Sequence, residues 1–366
     1  MNTIKTNPYK AVSFVESAVE SALQKAGSLI ADIKYDGVRL NLLAYRHVDL
    51  PEYVYSDWLS RVSKPIPALQ HLSGQSERWA KFLADDRQIY PDGLMIDGEA
   101  MVKGVDFNTG SGLLRSKWLS KKNVAFTTKP DFEIPKGMGK IPFELNPQKL
   151  KVVVYAVLPL ADIKSGSDID TMNCIMPYHV DAVIACLNDH FPEIEWVKTA
   201  TYEVYDMTHL HELYQWARDN GHEGLVVKDP LGNYKRGKKT GWWKMKPECE
   251  ADGAITGLVW GTKGKANEGK VIGFEVLLES GRVVNATNIS QALMDEFTKM
   301  VAESNFDDYG DWIATDSSDV PSHCRVNPYA GWACQISYME ETPDGSLRHP
   351  SFVCFRGTED NPTEKM

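Results

Sequence analysis

The sequence predicts an α+β chain of two domains: an N-terminal one of antiparallel sheets with flanking helices, and a C-terminal β-barrel of the OB type. Three observations carry this. The 366 residues are enough for two domains of ordinary size. Up to residue 246, strand-like runs are interleaved with helical stretches. After "KPECEAD", residues 246 to 252, the texture changes to short strands between glycine-rich turns, with a single helix among them. The domains are therefore expected to be 1–246 and 247–366.

Taken in order, Asn7-Pro8 has the form of an N-cap followed by proline at the first helical position. Val12, Val15, Val19 and Leu23 then recur at helical spacing, and Gly27 supplies a stop. "LIADIKYDGVRLNLLAY" has strand composition broken by Asp36-Gly37, which predicts a hairpin with Lys34 at or just before its turn. Further strands are expected at "MIDGEAMV", "KVVVYAVLPL" and "GLVVK", and helices near 66–86, 172–190 and 207–220. Residues 123–150, with Pro130, Pro135, Pro142 and Pro147, read as a long loop. In the second domain "GAITGLVWG", "VIGFEVLLES", "GRVVNATNI", "ACQISYME" and "SFVCFRG" are five strands, with a helix from about Ser290 to Glu303. The Asp-rich stretch 307–320 lacks the spaced ligands of an EF-hand and reads as a solvated loop.

Composition narrows the function. Net charge is −10, so nucleic acid would have to be held by a local basic face rather than by overall charge. Two regions qualify: Lys228 to Lys246, and Leu113 to Pro130 with Arg115, Lys117, Lys121, Lys122 and Lys129. Taken alone, each reads as a solvated face. The six cysteines form no Cys-x-x-Cys pair, which argues against a zinc ribbon and for reduced structural thiols. No apolar run approaches the ~20 residues of a membrane span, and the N-terminus lacks a signal-peptide pattern. A cytoplasmic protein without membrane contact is expected.

Lys34 raises the chemical question. A free lysine amine has a pKa of about 10.4, so a nucleophilic lysine needs desolvation or neighbouring cations to become neutral. Ile33 and Tyr35 alternate away from it on a strand. Candidate cations elsewhere are Arg39, Lys228, Lys244 and Lys246.

"KYDGVR", residues 34–39, resembles motif I of the covalent nucleotidyltransferases, which comprise ATP-dependent DNA ligases, RNA ligases and mRNA capping enzymes. The further motifs follow in the family's order. "LSRVSK" is similar to motif Ia through Arg61, and "DGE" at 97–99 to motif III. "VVYAVLPL" is similar to motif IIIa through Tyr155, "EGLVVK" at 223–228 to motif IV and "WWKMK" at 242–246 to motif V. Segments such as "NPYKAVSFVESA" and "SYMEETPDGSLRHPSF" look like the small two-domain DNA ligases of short-tailed lytic bacteriophages. The resemblance implies an ATP-grasp-like nucleotidyltransferase domain ahead of the barrel. It also implies a reaction: Lys34 attacks the α-phosphorus of ATP, AMP passes from the lysine to the 5′-phosphate of nicked double-stranded DNA, and the 3′-hydroxyl then displaces AMP. Roles in DNA replication, repair and recombination come with it, as does a monomer working beside replication proteins in a host cytoplasm.

Residue by residue, the resemblance implies that Tyr155 offers a face to adenine and Glu99 accepts from a ribose hydroxyl. Arg39 and Arg61 would fork onto ribose or phosphate, including the DNA 5′-phosphate. Lys228, Lys244 and Lys246 would neutralise the α-phosphate and help keep Lys34 neutral. Glu223, with Glu99, would hold Mg²⁺. Asp32, Ile33 and Tyr35 would meet the base. Two departures stand out. Asp32 occupies a position where the family usually has Glu, and "LRHPSFVCFRGTED" offers Arg348 or Arg356 without the usual motif VI spacing. The "WWKMK" and "GLVWGTKG" contexts favour a DNA ligase over an RNA ligase or a capping enzyme. The lysine on "WGTKGKANEGK" (Lys263, Lys265, Lys270) suggest a loop that clamps DNA. A non-catalytic OB-fold DNA-binding protein would have no need of the Lys34, Glu99, Glu223, Lys244 and Lys246 set.

Overall fold

The computed structural model describes residues 4–135, 137, 139–305, 326–342 and 346–356. The chain divides into two compact units, Met1–Met245 and Lys246–Met366. The Asp-rich stretch 307–320 and Cys324 lie outside the described residues.

In the first unit the chain runs β1 (Lys10–Ser13), α1 (Glu16–Ala26), β2 (Leu29–Lys34), β3 (Val38–Arg46), β4 (Val54–Ser60), β5 (Gly74–Gln75), α2 (Glu77–Leu83), β6 (Gly93–Val102) and α3 (Phe107–Arg115). It continues through β7 (Leu150–Pro159), α4 (Leu160–Ser165), β8 (Ile169–Met172), α5 (Met176–His190), β9 (Glu195–Lys198) and β10 (Thr201–Val204). It ends with α6 (Met207–Asp219), β11 (Gly224–Lys228), β12 (Asn233–Tyr234) and β13 (Lys238–Met245). Two sheets dominate, ordered β1-β13-β11-β2-β10 and β5-β4-β3-β6-β7-β9, and β8 with β12 forms a small ribbon. Pairing is antiparallel except for β1 with β13 and β7 with β9.

The hairpin expected at Asp36-Gly37 does not form. β2 pairs with β10 and β11, whereas β3 pairs with β4 and β6. Residues 35–37 instead carry the chain from one sheet to the other, and residues 199–200 do the same beside them. The Ile33 N–H donates to the Ala200 carbonyl at 2.9 Å, and the Thr199 hydroxyl donates to the Ile33 carbonyl at 3.3 Å. Gly37 is needed for close approach rather than for a turn, because a Cβ there would lie 2.7 Å from the Ala100 carbonyl and from Glu99 Cγ.

The first helix also starts later than expected. Lys10–Ser13 is an edge strand, its Lys10 N–H donating to the Gly237 carbonyl at 2.8 Å. α1 begins at Glu16, and Gly27 ends it at φ 80° as expected. Val12 belongs to the strand, so its helical spacing from Val15 was accidental. The stretch 66–86 is a 3-10 helix (Pro67–Leu72), a two-residue strand and α2, rather than one helix.

Strand alternation decides which face is chemical. Leu29, Ala31, Ile33, Leu225, Val227, Trp243 and Met245 lie on one face of the first sheet and pack against α1 and α6 through Val19, Leu23, Leu210, Leu213 and Ala217. Each fully buried aliphatic side chain there contributes roughly 1.5–3 kcal/mol. The opposite face carries Ile30, Asp32, Lys34, Val226, Lys228, Trp242 and Lys244. Trp242 joins the core of the second sheet, so this face lies between the two.

Asp97, fully buried on β6, ties the two sheets together. It accepts from Arg39 Nε and Nη2 at 2.6 Å each, from Asn41 Nδ2 at 2.8 Å and from the Tyr234 hydroxyl at 2.6 Å. The Tyr234 hydroxyl in turn accepts from the Tyr9 N–H at 2.9 Å, and the Tyr9 ring stacks on Trp242 at 4.4 Å.

The second unit comprises β14 (Cys249–Trp260), β15 (Val271–Leu278), β16 (Val283–Ala286), α7 (Gln291–Glu303), β17 (Ala333–Tyr338) and β18 (Ser351–Phe355), ordered β16-β15-β14-β17-β18. A parallel bridge between Thr287 and Ser351 joins the two ends, closing the barrel around Phe274, Phe297, Tyr329 and Phe352. This is the OB arrangement expected. The five described cysteines are free, and among the described residues no helix is long and apolar enough to cross a membrane.

Removing the central carboxylate leaves the partly buried Arg39 guanidinium, with Asn41 and Tyr234, without its acceptor. Asp97→Ala should lower the unfolding free energy by about 3–5 kcal/mol in urea titrations. A loss below about 1 kcal/mol would show that Asp97 does not hold the sheets together.

Candidate functional site

Lys34 ends β2 directly opposite Gly224 of β11. The residue before that glycine, Glu223, donates its N–H to the Lys34 carbonyl at 3.2 Å, and its carboxylate is ion-paired with the Lys34 ammonium. The two side chains are 23% and 11% exposed, so the pair sits at an opening rather than in the core. Arg218 steadies the approach, donating to the His222 carbonyl at 2.8 Å and the Glu223 carbonyl at 3.3 Å.

From the second sheet come Arg39 and Glu99, directly paired across β3 and β6. Tyr155 follows from an irregularity: Asp97 pairs with Ala156 but Gly98 with Val154, so Tyr155 is an extra residue. Such a bulge re-aims a side chain. It depends on Gly98, where a Cβ would lie 2.4 Å from the Val153 carbonyl. The re-aimed Tyr155 hydroxyl donates to Glu99 Oε2 at 3.3 Å, and the Arg39 guanidinium lies 5.1 Å from its ring centroid. Burial drives the Glu99 carboxyl up to about 7. The charges of Arg39 and Lys34 oppose that shift, while those of Glu223 and Asp97 add to it. The Tyr155 phenol is raised well above its ordinary value by burial and then by Glu99. Burial alone would lower the Arg39 guanidinium, but Asp97 reverses this and raises it.

Beside this cluster a narrow recess is lined by Asp32, Tyr155, Asn173, Thr199, Thr201 and Lys228, with Met176, Pro177 and Val180 as its apolar wall. Asp32 is buried, accepts from the Thr201 hydroxyl at 2.8 Å and is ion-paired with Lys228. Lys228 also sits 4.0 Å from the Trp242 ring centroid. The Trp242 indole N–H donates to Asn173 Oδ1 at 3.0 Å.

Lys34, Arg39, Glu99, Tyr155 and Glu223 are therefore brought together, with Asp32 and Lys228 alongside. Several expectations change. Arg39 spends Nε and one terminal nitrogen on Asp97, so it is not a free fork. Lys228 is committed to Asp32 rather than placed against Lys34, whose contact is the carboxylate of Glu223. Ile33 is buried on the far face with both backbone groups paired, and Tyr35 packs partly against that same core. Lys244 is on the recess-side face of β13, Lys246 belongs to the second unit, and Arg61 is exposed on the turn after β4.

The basic run 228–246 is largely spent internally. Arg236 donates to the carbonyls of Lys5, Thr6, Asn7, Asp162 and Ile163, Lys239 pairs with Asp168, and Lys235 donates to the Thr240 carbonyl. In the barrel, Arg348 pairs with Glu340 at 2.8 Å and Arg356 with Asp252 at 3.1 Å. Sequence reasoning missed Asp97, Tyr234, Trp242 and Asn173. Only the aspartate of "DGE" offered a signal, since a second acid two residues before Glu99 shares its strand face.

The chain as a whole is similar to known proteins. The family described as ATP dependent DNA ligase domain matches residues 8–246, and the DNA ligase C-terminal domain matches residues 247–356. The chain is 62% identical over 366 residues to the DNA ligase of Escherichia phage T7, covering all of both chains. It is 58% identical over 372 residues to that of Enterobacteria phage T3, again covering both fully. The solved structure of the bacteriophage T7 ATP-dependent DNA ligase in complex with ATP is similar with a TM-score of 0.62 and 59% identity. That match covers 96% of this chain and 99% of the other.

The raised Glu99 carboxyl has a defined thermodynamic sign. Between its ordinary 4.5 and about 7 the folded protein holds a proton that the unfolded chain releases, so this group's contribution to stability falls as pH rises through that window. Glu99→Gln should therefore be more stable than the parent by roughly 1–3 kcal/mol at about pH 8, with the gain vanishing near pH 4.5. Urea unfolding across that range measures it, and a pH-independent difference would contradict the shift.

Proposed function

The chain belongs to the ATP-dependent DNA ligases, and from that premise we propose that Lys34 is the residue that takes AMP from ATP before nick sealing. The observation that supports this reading best is the Lys34–Glu223 pair, set at an opening beside Arg39, Glu99 and Tyr155. The ion pair orients Lys34, and attack requires the pair to open, because only the neutral amine has a lone pair to offer. As the bond from Lys34 Nζ to the α-phosphorus forms, the bond to pyrophosphate breaks. The AMP then passes to the DNA 5′-phosphate, and the 3′-hydroxyl expels it. Each step transfers a phosphoryl or nucleotidyl group, so positioning and charge dominate.

Adenine is assigned to the mouth of this recess, whose present space of about 10 Å³ holds a single water, so Tyr155 and α5 must part to admit the base. Tyr155 supplies a flat wall opposite the apolar side chains of α5. A carboxylate has about four acceptor sites. Asp32 uses two of its sites on Thr201 and Lys228, which leaves capacity for the exocyclic amine of adenine despite the shorter side chain. Glu99 faces the ribose and Arg39 provides a fixed positive wall. Lys244 and Lys246 are the cations for the α-phosphate, Lys228 joining them only by leaving Asp32, and Arg61 with Arg348 or Arg356 serves the remaining phosphates.

Mg²⁺ fits the donors present. Among the described residues no group of three His, Cys, Asp or Glu is placed to hold a metal. Glu223 and Glu99 suit an ion that takes one or two carboxylates and completes its shell with phosphate and water. Bound there, it would neutralise charge on the α-phosphate. The full-length likeness to phage enzymes supports a monomer acting with replication proteins in a host cytoplasm.

Intact mass after incubation with ATP, GTP or NAD and Mg²⁺ tests this reading. One AMP should add from ATP alone and none to Lys34→Ala. Nicked duplex DNA should then be sealed, with activity falling steeply as salt rises. Absence of an adduct from every nucleotide would sink it.

A further inference from the structure

We propose that a groove in the first unit, separate from the adenine recess, carries the sugar–phosphate backbone of the duplex flanking the break. The inference rests on the ligase reading and adds a surface to it. The groove encloses about 1000 Å³ and is lined by residues 4–10, the turn after β4, and α4 with its following turn. Lys5, Lys10, Arg61 and Lys164 rim it, all exposed and none with an ion-pair partner among the described residues. Among the described residues no acidic side chain lines it, although the chain carries 50 acids against 40 basic residues. Unpaired cations gathered in a concave surface focus a positive field despite an acidic whole.

The groove is also built. Arg236 forms its floor and donates to carbonyls on both rims, including Thr6 at 2.8 Å and Asp162 at 3.1 Å. The Thr6 N–H donates to Ser63 Oγ at 2.9 Å, fixing the N-terminal segment to the turn after β4. It begins beside the catalytic cluster. Arg39 Nη2 donates to the Tyr9 carbonyl at 3.3 Å, immediately before Lys10, and Ser60, immediately before Arg61, pairs with Leu40. A small anion would require buried donors converging on one point. Four exposed, spaced cations suit a polyanion read by charge, which is what recognition of a break without regard to sequence demands.

The full-length triple variant Lys5→Gln, Lys10→Gln, Lys164→Gln tests this on a nicked duplex with a 3′-dideoxy end, so that binding is measured without sealing. Each lost phosphate contact should flatten the slope of log K against log salt by about 0.9, or roughly 2–3 in all, and weaken binding at low salt by about 10-fold or more. Self-adenylation with ATP should be unchanged. Unchanged slope and affinity would overturn the proposal. So would an unchanged slope with a raised KM for ATP, which would mean the groove serves a free nucleotide. If the parent forms no lysyl-AMP, the reading of Lys34 fails instead, and the salt slope still reports on the groove.

Discussion

The buried carboxylate of Asp97 is the constraint on which the active face depends. Two charges taken out of water cost several kcal/mol each, and a buried pair recovers that cost only where geometry and remaining hydrogen bonds are good. Here the carboxylate is forked by Arg39 and also accepts from Asn41 and Tyr234. The result is a fixed Arg39, which in turn fixes what it touches. Glu99 lies opposite it across the strands, and Tyr155 lies under its guanidinium. Through Tyr234, Tyr9 and Trp242 the same network reaches Lys228 on the other sheet. A cluster assembled from two sheets needs such a tie, because Lys34 and Glu223 come from one sheet and Arg39, Glu99 and Tyr155 from the other.

Around that tie, cations and anions alternate in discrete pairs: Lys34 with Glu223, Lys228 with Asp32, Arg39 with Asp97. Among the described residues these charges are therefore paired, and on the proposed reading a triphosphate would enter by exchanging partners. The pairs differ in how readily they exchange. Arg39–Asp97 is bidentate and its acid is wholly buried, so it is structural. Lys34–Glu223 is partly open and close to Glu99, whose carboxyl is raised by burial against the opposing charges of Arg39 and Lys34. On the proposed reading Mg²⁺ would use Glu223 and Glu99, because Asp97 is already taken up by Arg39, Asn41 and Tyr234.

Much of this was legible in the sequence, and what was not has physical causes. The strands bearing Lys34, Glu99, Tyr155 and Lys228 were readable from composition, as were all five barrel strands with their inserted helix. Asp36-Gly37 misled because a dipeptide reports local turn chemistry, not which sheet receives the next strand. Gly37 is used instead for its missing side chain beside Glu99. Lys10–Ser13 was misread because helical spacing of valines carries no information about an edge strand awaiting a partner more than two hundred residues away. The chemistry of Lys34 was sought in distant lysines, since type and spacing reveal candidates but not pairings. Only the fold shows that Lys228 answers to Asp32 and that Glu223 reaches Lys34. The bulge that aims Tyr155 was likewise invisible, being a mismatch between two strands rather than a feature of either.

Net charge was the weakest guide to a partner, and its failure is instructive. At physiological salt the Debye length is about 8 Å, so a phosphate strand senses the side chains it passes rather than the molecular total. What matters is whether nearby cations are already neutralised. The densest basic run, 228–246, fails that test because Arg236, Lys239, Lys235 and Lys228 are spent on carbonyls and carboxylates of their own unit. The sparser set Lys5, Lys10, Arg61 and Lys164, scattered over 160 residues and of which the sequence singled out Arg61 alone, passes it. Arg236 connects the two cases. By spending its own charge on backbone carbonyls it shapes the groove in which the unspent cations gather. In this chain an internally satisfied arginine therefore matters to polyanion binding through geometry, and the lysines around it through charge.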